Sequence, residues 1–167
     1  MEYDAVIVGA GPAGLSAAIK LKQLDSNLDI CILEKGSEVG AHILSGNVFE
    51  TRALDELIPK WRDEGAPIKT KVSKEKFLFL GKNNSLSWPT WLLPSVQKNH
   101  KNYIISLANL CRWLAEQAEK LGVEIFPGFA ATEIIFNDDG SVKGVATSDL
   151  GLDKNGNKKE GYEQGIE

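Results

Sequence analysis

The sequence predicts an α/β fold: a parallel sheet with helices, an inserted α+β segment and a later β-hairpin. The first observation is an apolar run, Ala5–Val8, that leads through a glycine-rich turn into apolar residues at helical spacing. The second is another apolar run, Ile30–Leu33, which completes a strand–helix–strand unit. The third is an apolar strand in "VEIFPG", which follows a later amphipathic helix. Alternating strands and helices of this kind favour a parallel sheet.

The first strand and helix follow from the spacing of apolar residues. Because Ala5–Val8 is continuously apolar, we expect both of its faces to be covered. The helix begins at Pro12 and ends near Asp25. Its predicted buried face contains Leu15, Ala18, Ile19 and the stem of Lys22.

The middle of the chain differs in character from the strand–helix–strand unit. Residues 51–62 predict a short helix with Thr51 as its N-cap. Residues 63–101 contain two short strand candidates, "KFLFL" and "SLSW", and prolines are frequent from Pro59 onward. We interpret residues 51–101 as an inserted subdomain. Residues 1–50 and 102–150 then form parts of one dinucleotide-binding domain, and residues 151–167 form a polar tail.

The second long helix and a hairpin follow the insert. Ser106 is the predicted N-cap, and Gly122 suits the position just past the helix end. The apolar face of this helix contains Leu107, Leu110, Leu114, Ala118 and Leu121. Residues 133–148 predict a β-hairpin whose turn is Asp138-Asp139-Gly140.

Composition excludes several classes of protein. The chain has 19 basic and 23 acidic residues, a net charge of −4, and no basic stripe of the kind that nucleic-acid binders carry. No apolar run reaches the roughly 18–20 residues that span a bilayer. The two cysteines, Cys31 and Cys111, are expected to be small buried side chains, and they are too few for a four-thiolate cluster.

Gly9, Gly11 and Gly14 form a G-x-G-x-x-G motif between a strand and a helix. In this context the first glycine allows a tight turn, the second lets a pyrophosphate approach the backbone, and the third lets the helix pack against the strand. Pro12 at the helix start has no amide hydrogen, and none is needed at that position. The motif therefore predicts a dinucleotide at the helix N-terminus.

Glu34 ends the second strand, 20 residues after Gly14. An acid at this place accepts hydrogen bonds from ribose hydroxyls and disfavours a 2′-phosphate. The glycine-rich stretch from Lys35 to Gly46 follows directly and suits an extended dinucleotide that reaches a flavin. "GSVKGVATSD" also resembles a second FAD fingerprint. The sequence favours FAD over NAD, with NAD as the alternative.

These motifs together resemble the electron transfer flavoprotein–ubiquinone oxidoreductase family. The stretches "GAHILSG" and "HKNYIISL" carry the resemblance more specifically than the glycine motif does. The resemblance implies an FAD-binding Rossmann-like domain of glutathione-reductase type, with an inserted α+β subdomain and a β-hairpin or meander. It also implies FAD and a [4Fe-4S] cluster as cofactors, and electron transfer flavoprotein and ubiquinone as partners.

The resemblance is to the N-terminal portion of the family only. We therefore expect a truncated domain, with cluster ligands, a third FAD motif and later sheet strands absent. Ala5–Val8 is then expected at an apolar sheet edge. We expect these 167 residues by themselves not to reduce ubiquinone.

The resemblance and the motifs assign roles to particular residues, none of them catalytic. Glu34 is expected at the ribose and Lys35 beside the adenosine. Arg112 is expected to be a solvated or phosphate-neighbouring charge. For His42, a loop histidine that only satisfies local backbone is the alternative. The expected pyrophosphate contacts are Gly9, Gly11, Pro12, Ala13 and Gly14. The expected flavin-side residues are Gly40, Ala41, His42, Ser45 and Gly46.

The stretch "SWPTWLLPSV" places Trp88, Trp91, Leu92 and Leu93 among prolines. Tryptophan and leucine in such a loop suit a membrane interface, and a small satellite core under the loop is the alternative. Without an apparent leader sequence, the chain is expected to be cytoplasmic and peripheral at the inner face of the cell membrane.

Two other functions remain compatible with the sequence. One is a different FAD-dependent oxidoreductase of the same superfamily, such as a monooxygenase or a geranylgeranyl-type reductase, although "GAHILSG" and "HKNYIISL" disfavour it. The other is an inactive truncated product that binds nucleotide weakly or not at all.

Overall fold

The structure is a computed structural model that describes residues 1–153 and 157–166. The chain folds into two compact units. The first contains Met1–Ile43 and the chain from Cys111 onward, and the second contains Leu44–Leu110. The strands and helices are, in chain order, β1 (Ala5–Val8), α1 (Pro12–Leu24), β2 (Ile30–Glu34), β3 (Ser45–Phe49), α2 (Arg52–Leu57), β4 (Thr70–Lys71), β5 (Phe77–Leu80), β6 (Ser85–Trp88), β7 (Tyr103–Ser106), α3 (Leu107–Lys120), β8 (Glu124–Pro127), β9 (Ala131–Phe136), β10 (Val142–Thr147), β11 (Leu150–Leu152) and β12 (Lys158–Glu163).

The first unit is organised around a parallel sheet with the strand order β1–β2–β8. Ile32 lies opposite Ile7 on one side and Ile125 on the other. Within the described residues β1 pairs with β2 alone, so it lies at the sheet edge, as predicted. The expectation that both faces of β1 are covered is wrong. Val6 and Val8 are 40% and 60% exposed, because the face on which they lie is only partly covered.

Helix α1 buries the predicted face, since Leu15, Ala18, Ile19 and Lys22 are all buried. Gly14 lies where the helix closely approaches the end of β1, because a Cβ at this position would overlap the carbonyl oxygen of Gly9. It would also lie 3.1 Å from the Ile7 side chain. The third glycine of the motif is therefore required for helix–strand packing.

Lys22 stabilises the turn that connects α1 to β2. Its Nζ donates hydrogen bonds of 2.9 Å to the carbonyl oxygens of Ser26 and Leu28. These two carbonyls lie in the turn between α1 and β2, so the buried ammonium satisfies backbone groups that the turn leaves open. The lysine stem packs in the core, which is why this position falls on the apolar face.

Helix α3 has the predicted cap and end. The Asn109 amide donates to Ser106 Oγ at 3.4 Å, and Gly122 has a φ of +86°. Leu110, Leu114 and Ala118 are buried as predicted, whereas Leu121 is 41% exposed because it follows the last helical turn. The buried face is also wider than predicted, since it includes Cys111, Trp113 and Ala115.

The hairpin and the tail follow β8. Strands β9 and β10 pair antiparallel around Gly140, as predicted. The expected polar tail contains a further antiparallel ladder between β11 and β12, so it is not an unstructured extension. The amide of Thr147 donates to the Ile166 carbonyl at 2.9 Å, and Asp149 accepts from the Gly165 amide at 2.8 Å. The tail therefore returns to the end of β10.

The second unit contains an antiparallel sheet with the order β3–β7–β4 and a separate β5–β6 hairpin. The predicted strands "KFLFL" and "SLSW" form that hairpin. The boundaries at 50 and 102, drawn from the sequence, differ from those of the compact unit at Leu44 and Leu110. The difference arises because β3 and β7 pair with each other, with Val48 opposite Ile104.

Asp55 anchors α2 to the chain that follows it. The carboxylate accepts hydrogen bonds from Thr51 Oγ1 at 2.8 Å and from the Trp61 indole at 2.7 Å. Trp61 is buried, and Arg62 lies over its ring while pairing with Asp55. Thr51 is at the N-cap position but its hydroxyl bonds Asp55, so the predicted side-chain cap is not formed. The helix also ends earlier than predicted, since Ile58 precedes a proline and leaves the helical region.

No helix in the described part of the chain has the length and apolar character that crossing a membrane requires.

Replacing Gly14 with alanine should destabilise the first unit. Because the added methyl group would overlap the Gly9 carbonyl oxygen, the helix must shift away from β1, at a cost of about 1–3 kcal/mol. Urea unfolding monitored by circular dichroism measures this change. Gly11→Ala is the matched control, since a Cβ there meets no atom within 4 Å. Equal unfolding midpoints for the two variants would contradict the packing role of Gly14.

Protonating Asp55 should weaken the second unit. Hydrogen bonds from Trp61 and Thr51 are the main cause of the lowered pKa of the Asp55 carboxyl, and the nearby Arg62 adds to them. A lowered folded-state pKa gives stability that is present above the unfolded pKa of about 4 and is lost as the pH falls through the folded pKa. The stability difference between the native chain and Asp55→Asn should therefore shrink as the pH falls below about 4.

The measurement is urea unfolding across a pH series. Glu56→Gln is the control, because Glu56 is an exposed carboxylate on the same helix. A stability difference for Asp55→Asn that stays constant down to the lowest pH would rule out the proposed ionisation.

Candidate functional site

The predicted site residues of the first unit lie at the carboxyl ends of the parallel strands. Gly9 follows β1, Glu34 ends β2, and Gly128 comes directly after β8. The strands are held in register at this edge, where the Gly9 amide donates to the Leu33 carbonyl at 2.7 Å. Ligands of open α/β sheets bind at this edge, where the loops after neighbouring strands meet.

The glycine turn has the conformation that its sequence predicts. Gly9 has a φ of +100°, which favours glycine over residues with a side chain. Gly11 has an ordinary φ of −80° and is the N-cap of α1. A Cβ on Gly11 would meet no protein atom within 4 Å, so nothing in the first unit's packing requires glycine there. Gly11 leaves space open in front of the helix N-terminus. In this type of turn a pyrophosphate occupies that space.

The start of α1 provides unpaired backbone donors. Pro12 is the first helical residue, and the amides of Ala13 and Gly14 come too early in the helix for intrahelical partners. The first turn contains no acidic side chain. The partial positive charge of this helix end is therefore not offset by its own residues, and an anion would be stabilised there.

Glu34 links the two loops that form the site. Its Oε2 accepts a hydrogen bond from the Ala10 amide at 2.9 Å, and its Oε1 accepts one from the Gly36 amide at 2.7 Å. Both carboxylate oxygens therefore bind backbone, and each keeps a further lone pair that can accept from a ribose hydroxyl. The sequence predicted the acid at this position but not its bond to Ala10.

Gly36 is the point where three parts of the site meet. A Cβ on Gly36 would lie 3.0 Å from Glu34 Oε1 and 3.4 Å from the Nδ1 of His42. The Gly36 carbonyl also accepts a hydrogen bond from the Gly128 amide at 2.8 Å. His42 is exposed, and its ring comes close to Gly36, as the Glu34 carboxylate does. Lys35, which follows Glu34 in the sequence, is also exposed. Gly128 is absent from the site residues predicted from the sequence, although its position directly after the third parallel strand indicates a place at this edge.

An ion pair fixes the outer part of the loop. Glu38 Oε1 lies 2.9 Å from an Nη atom of Arg112 on α3. Both side chains are partly exposed, so the pair contributes little to stability, on the order of 0–1 kcal/mol. Arg112 was expected to be a solvated or phosphate-neighbouring charge, and the structure shows that it binds the loop carboxylate. This pairing between distant positions had no signal in the sequence.

The remaining predicted flavin-side residues fall in different places. Gly40 is buried with a φ of +85°, and Ala41 is exposed. Ser45 and Gly46 belong to the second unit, where they open β3. The glycine-rich stretch predicted as one loop from Lys35 to Gly46 therefore ends at Leu44.

The two thiols lie in the core: Cys111 is close to Glu34 at this edge, whereas Cys31 lies near the start of β2, opposite Glu124. Burial raises the pKa of the Cys111 thiol to about 11, and the negative charge of Glu34 adds to the effect. Burial also raises the pKa of the Cys31 thiol. Both cysteines are free and buried, in agreement with a packing role. Within the described residues no group of three or more His, Cys, Asp or Glu side chains is placed to hold a metal ion.

A large cavity of about 850 Å³ lies on the other face of the parallel sheet. Its floor includes Val6, Cys31 and Leu33, and the β9–β10 hairpin contributes Ile135 and Val145. Ile7, the neighbour of Val6, faces α1 instead, so the cavity and the helix are on opposite faces. Its lining is mixed, since Glu2, Asp4, Asp29 and Lys143 lie among the apolar residues, and it is separate from the glycine turn.

Comparison with known proteins gives strong matches over the whole chain. Residues 7–60 match the family described as an NAD(P)-binding Rossmann-like domain. The rice protein named mitochondrial electron transfer flavoprotein-ubiquinone oxidoreductase is 58% identical, over 100% of this chain and 29% of its own length. The proteins of that name from Pseudomonas aeruginosa and Bos taurus are 56% and 48% identical, over 97% and 99% of this chain and 30% and 27% of their lengths.

The chain matches the N-terminal portion of electron transfer flavoprotein–ubiquinone oxidoreductases. The predicted resemblance is thereby confirmed. The chain spans less than a third of the length of these curated relatives.

Solved structures confirm the fold. A geranylgeranyl bacteriochlorophyll reductase-like protein from Thermoplasma acidophilum superposes with a TM-score of 0.63 at 23% identity, over 87% of this chain and 34% of that one. A flavoprotein/dehydrogenase from Cytophaga hutchinsonii gives a TM-score of 0.57 at 22% identity, over 95% and 36% of the two chains. At this identity the likeness shows the fold alone.

Glu34→Gln should destabilise the chain even without a nucleotide. The substitution replaces one carboxylate oxygen, an acceptor, with an NH₂ group, a donor. That NH₂ group then faces the backbone N–H of either Ala10 or Gly36, so one hydrogen bond is lost and two donors face each other. The expected loss is about 1–3 kcal/mol, measured by urea unfolding. Glu38→Gln, in the same loop, is the control and should change little, since it removes only a partly exposed ion pair. Equal effects of the two substitutions would exclude the bridging role.

Proposed function

We propose that this chain is the N-terminal, FAD-binding part of an oxidoreductase that accepts electrons from reduced electron transfer flavoprotein and passes them to ubiquinone. The observation that carries the proposal is 48–58% identity to proteins of this name along the whole chain. The geometry of the glycine turn and of Glu34 supports a dinucleotide at the same place.

The residues at the sheet edge fit FAD. The amides of Ala13 and Gly14, with the space left open by Gly9 and Gly11, receive the pyrophosphate next to Pro12. Glu34 accepts from the ribose hydroxyls while its backbone bonds hold it in place, and Lys35 lies beside the adenosine. The loop residues Gly40, Ala41 and His42 line the flavin side.

Bound FAD supplies the electron-carrying chemistry. The protein residues named above bind and orient the cofactor, and none of them is assigned as an acid or a base. Glu34 has a second effect: as an anion it disfavours a 2′-phosphate, so it selects against NADP. The preference for FAD over NAD rests on the loop beyond Glu34 and on the FAD-dependent structural relatives.

A [4Fe-4S] cluster does not fit the residues of this chain. Such a cluster is held by four thiolates, whereas the chain contains two cysteines, both of them buried in the core. Any cluster that serves the proposed electron transfer must therefore be held by residues outside this sequence.

The proposed ubiquinone reaction also requires access to a membrane. Trp88, Trp91 and Leu92 are 41%, 75% and 50% exposed, and Leu93 is half-buried beside them. These side chains are suited to peripheral contact with a bilayer, at the inner face of the cell membrane in a cytoplasmic setting.

Gly11→Val should abolish FAD binding while leaving the fold intact. The branched side chain would occupy the pyrophosphate position, yet the Cβ meets no protein atom within 4 Å. Flavin fluorescence titration of the purified chain measures the affinity, and the same titration with NAD tests cofactor choice. Gly144→Val is the matched control, because Gly144 also has an ordinary φ and open space around its Cβ.

Unchanged FAD affinity in Gly11→Val would show that the glycine motif is only structural. Denaturing the purified native chain also identifies any chromophore that it retains. Release of a nicotinamide nucleotide without flavin would refute the FAD assignment.

A further inference from the structure

The loop after β2, residues 35–43, is anchored to the first unit at two points. The Gly36 carbonyl accepts a hydrogen bond from the Gly128 amide at 2.8 Å, and Val39 is buried further along the loop. We call residues 35–43 the β2 loop. Glu38 lies between these two anchors and is exposed. The contacts of Glu38 therefore bear directly on how the exposed part of the loop is held.

Glu38 connects the flavin-side residues of the β2 loop to α3. Its backbone carbonyl accepts a hydrogen bond from the Ala41 amide at 3.3 Å, and Ala41 begins the exposed pair Ala41-His42. Its side chain pairs with Arg112, where Oε1 lies 2.9 Å from an Nη atom. One residue thus links a helix side chain to the part of the loop that is assigned to the flavin.

The backbone that carries Arg112 is firmly packed. Arg112 lies within the 14-residue helix α3, and the residues on either side of it, Cys111 and Trp113, are 0% and 6% exposed. Because both neighbouring side chains belong to a close-packed core, the helix backbone at Arg112 has little freedom to move. The guanidinium therefore offers the Glu38 carboxylate a partner on a rigid element.

A partly exposed ion pair can matter to a loop although it matters little to the whole fold. Loops open locally at a far lower free-energy cost than global unfolding, so one such contact changes how often the loop has its closed conformation. The effect on ligand affinity is limited to the free energy of the pair itself, which corresponds to a factor of up to about five.

We infer that Arg112 is a positioning residue for the flavin half of the cofactor: through Glu38 it holds the β2 loop in the conformation that presents residues 40–42 to the flavin. The inference rests on the proposed function, since it takes FAD as the ligand of this sheet edge. It also separates the two halves of FAD. The ADP half meets the glycine turn and Glu34, whose bonds to backbone amides do not involve Arg112.

The test is fluorescence titration of the purified 167-residue chain with FAD, together with calorimetric titration with ADP. Glu38→Gln decides between positioning and simple electrostatics. By charge alone, removing an acid near an anionic ligand strengthens binding. Loss of the ion pair should instead weaken FAD binding by about three- to fivefold. The affinity for ADP should keep its native value at physiological ionic strength, where distant charges are screened.

Two further variants identify the pair as the cause. Arg112→Gln should weaken FAD binding by the same factor as Glu38→Gln, and the double variant should lose no more than either single variant, because both remove one contact. Exchanging the two charges, with Glu38→Arg and Arg112→Glu together, should restore the FAD affinity. A loss of packing could not be rescued in this way.

Arg52→Gln is the matched control. It makes the same change of charge and breaks another exposed ion pair, that of Arg52 with Glu50, in the second unit. This variant should bind FAD like the native chain. All variants should keep the native thermal unfolding midpoint, because exposed ion pairs contribute little to global stability.

The other outcomes overturn the inference in different ways. Unchanged or stronger FAD binding by Glu38→Gln refutes the positioning role and leaves the proposed function standing. Additive losses in the double variant show that Arg112 does not act through Glu38. Equal losses of FAD and ADP affinity show that the pair supports the whole sheet edge and not the flavin half. A native chain that binds neither ligand refutes the proposed function, and the inference with it.

Discussion

The Glu34 carboxylate holds two loops at once, and the candidate site depends on that connection. One oxygen accepts from the Ala10 amide in the glycine turn, and the other accepts from Gly36 in the loop after β2. Gly36 in turn accepts from Gly128 after β8, so the ends of three parallel strands are tied together. Charge-assisted bonds from a carboxylate to backbone amides are among the stronger hydrogen bonds in proteins. A residue expected to recognise a ribose therefore also determines the shape of the loops around it.

Local patterns allowed most of the first unit to be predicted from the sequence. The strand, the glycine turn and the buried face of α1 depend on residues close together in the chain, and Gly14 requires only that helix and strand be in contact. The bridge from Glu34 to Ala10 and the ion pair of Glu38 with Arg112 join distant positions, and no spacing rule indicates them. The same limit explains the domain boundaries. Ser45 and Gly46 read as loop residues because the partner strand β7 lies far along the chain.

Charge is distributed unevenly along the chain, because residues 69–101 carry a net charge of +6. The acidic majority of the sequence, with a net charge of −10, includes the loops in which Glu34 and Glu38 lie. The positive end of α1 is local to one helix terminus and screened within a few ångströms, so it can recognise a phosphate without making the first unit basic. A helix terminus and a lysine-rich stretch of chain are thus two different physical means of attracting an anion.

The division of the first unit into two stretches of sequence affects the order in which the protein can form. Strands β1 and β2 leave the ribosome early, but β8 pairs with β2 only after the whole of Leu44–Leu110 has been synthesised. Closing so long a loop costs conformational entropy that only the finished sheet repays, and non-local pairing of this kind is slow. The second unit is continuous in sequence and can fold within that interval. The bond from Gly128 to Gly36 cannot form before Gly128 has been synthesised, so nascent chains contain the glycine turn before they can have a complete pocket.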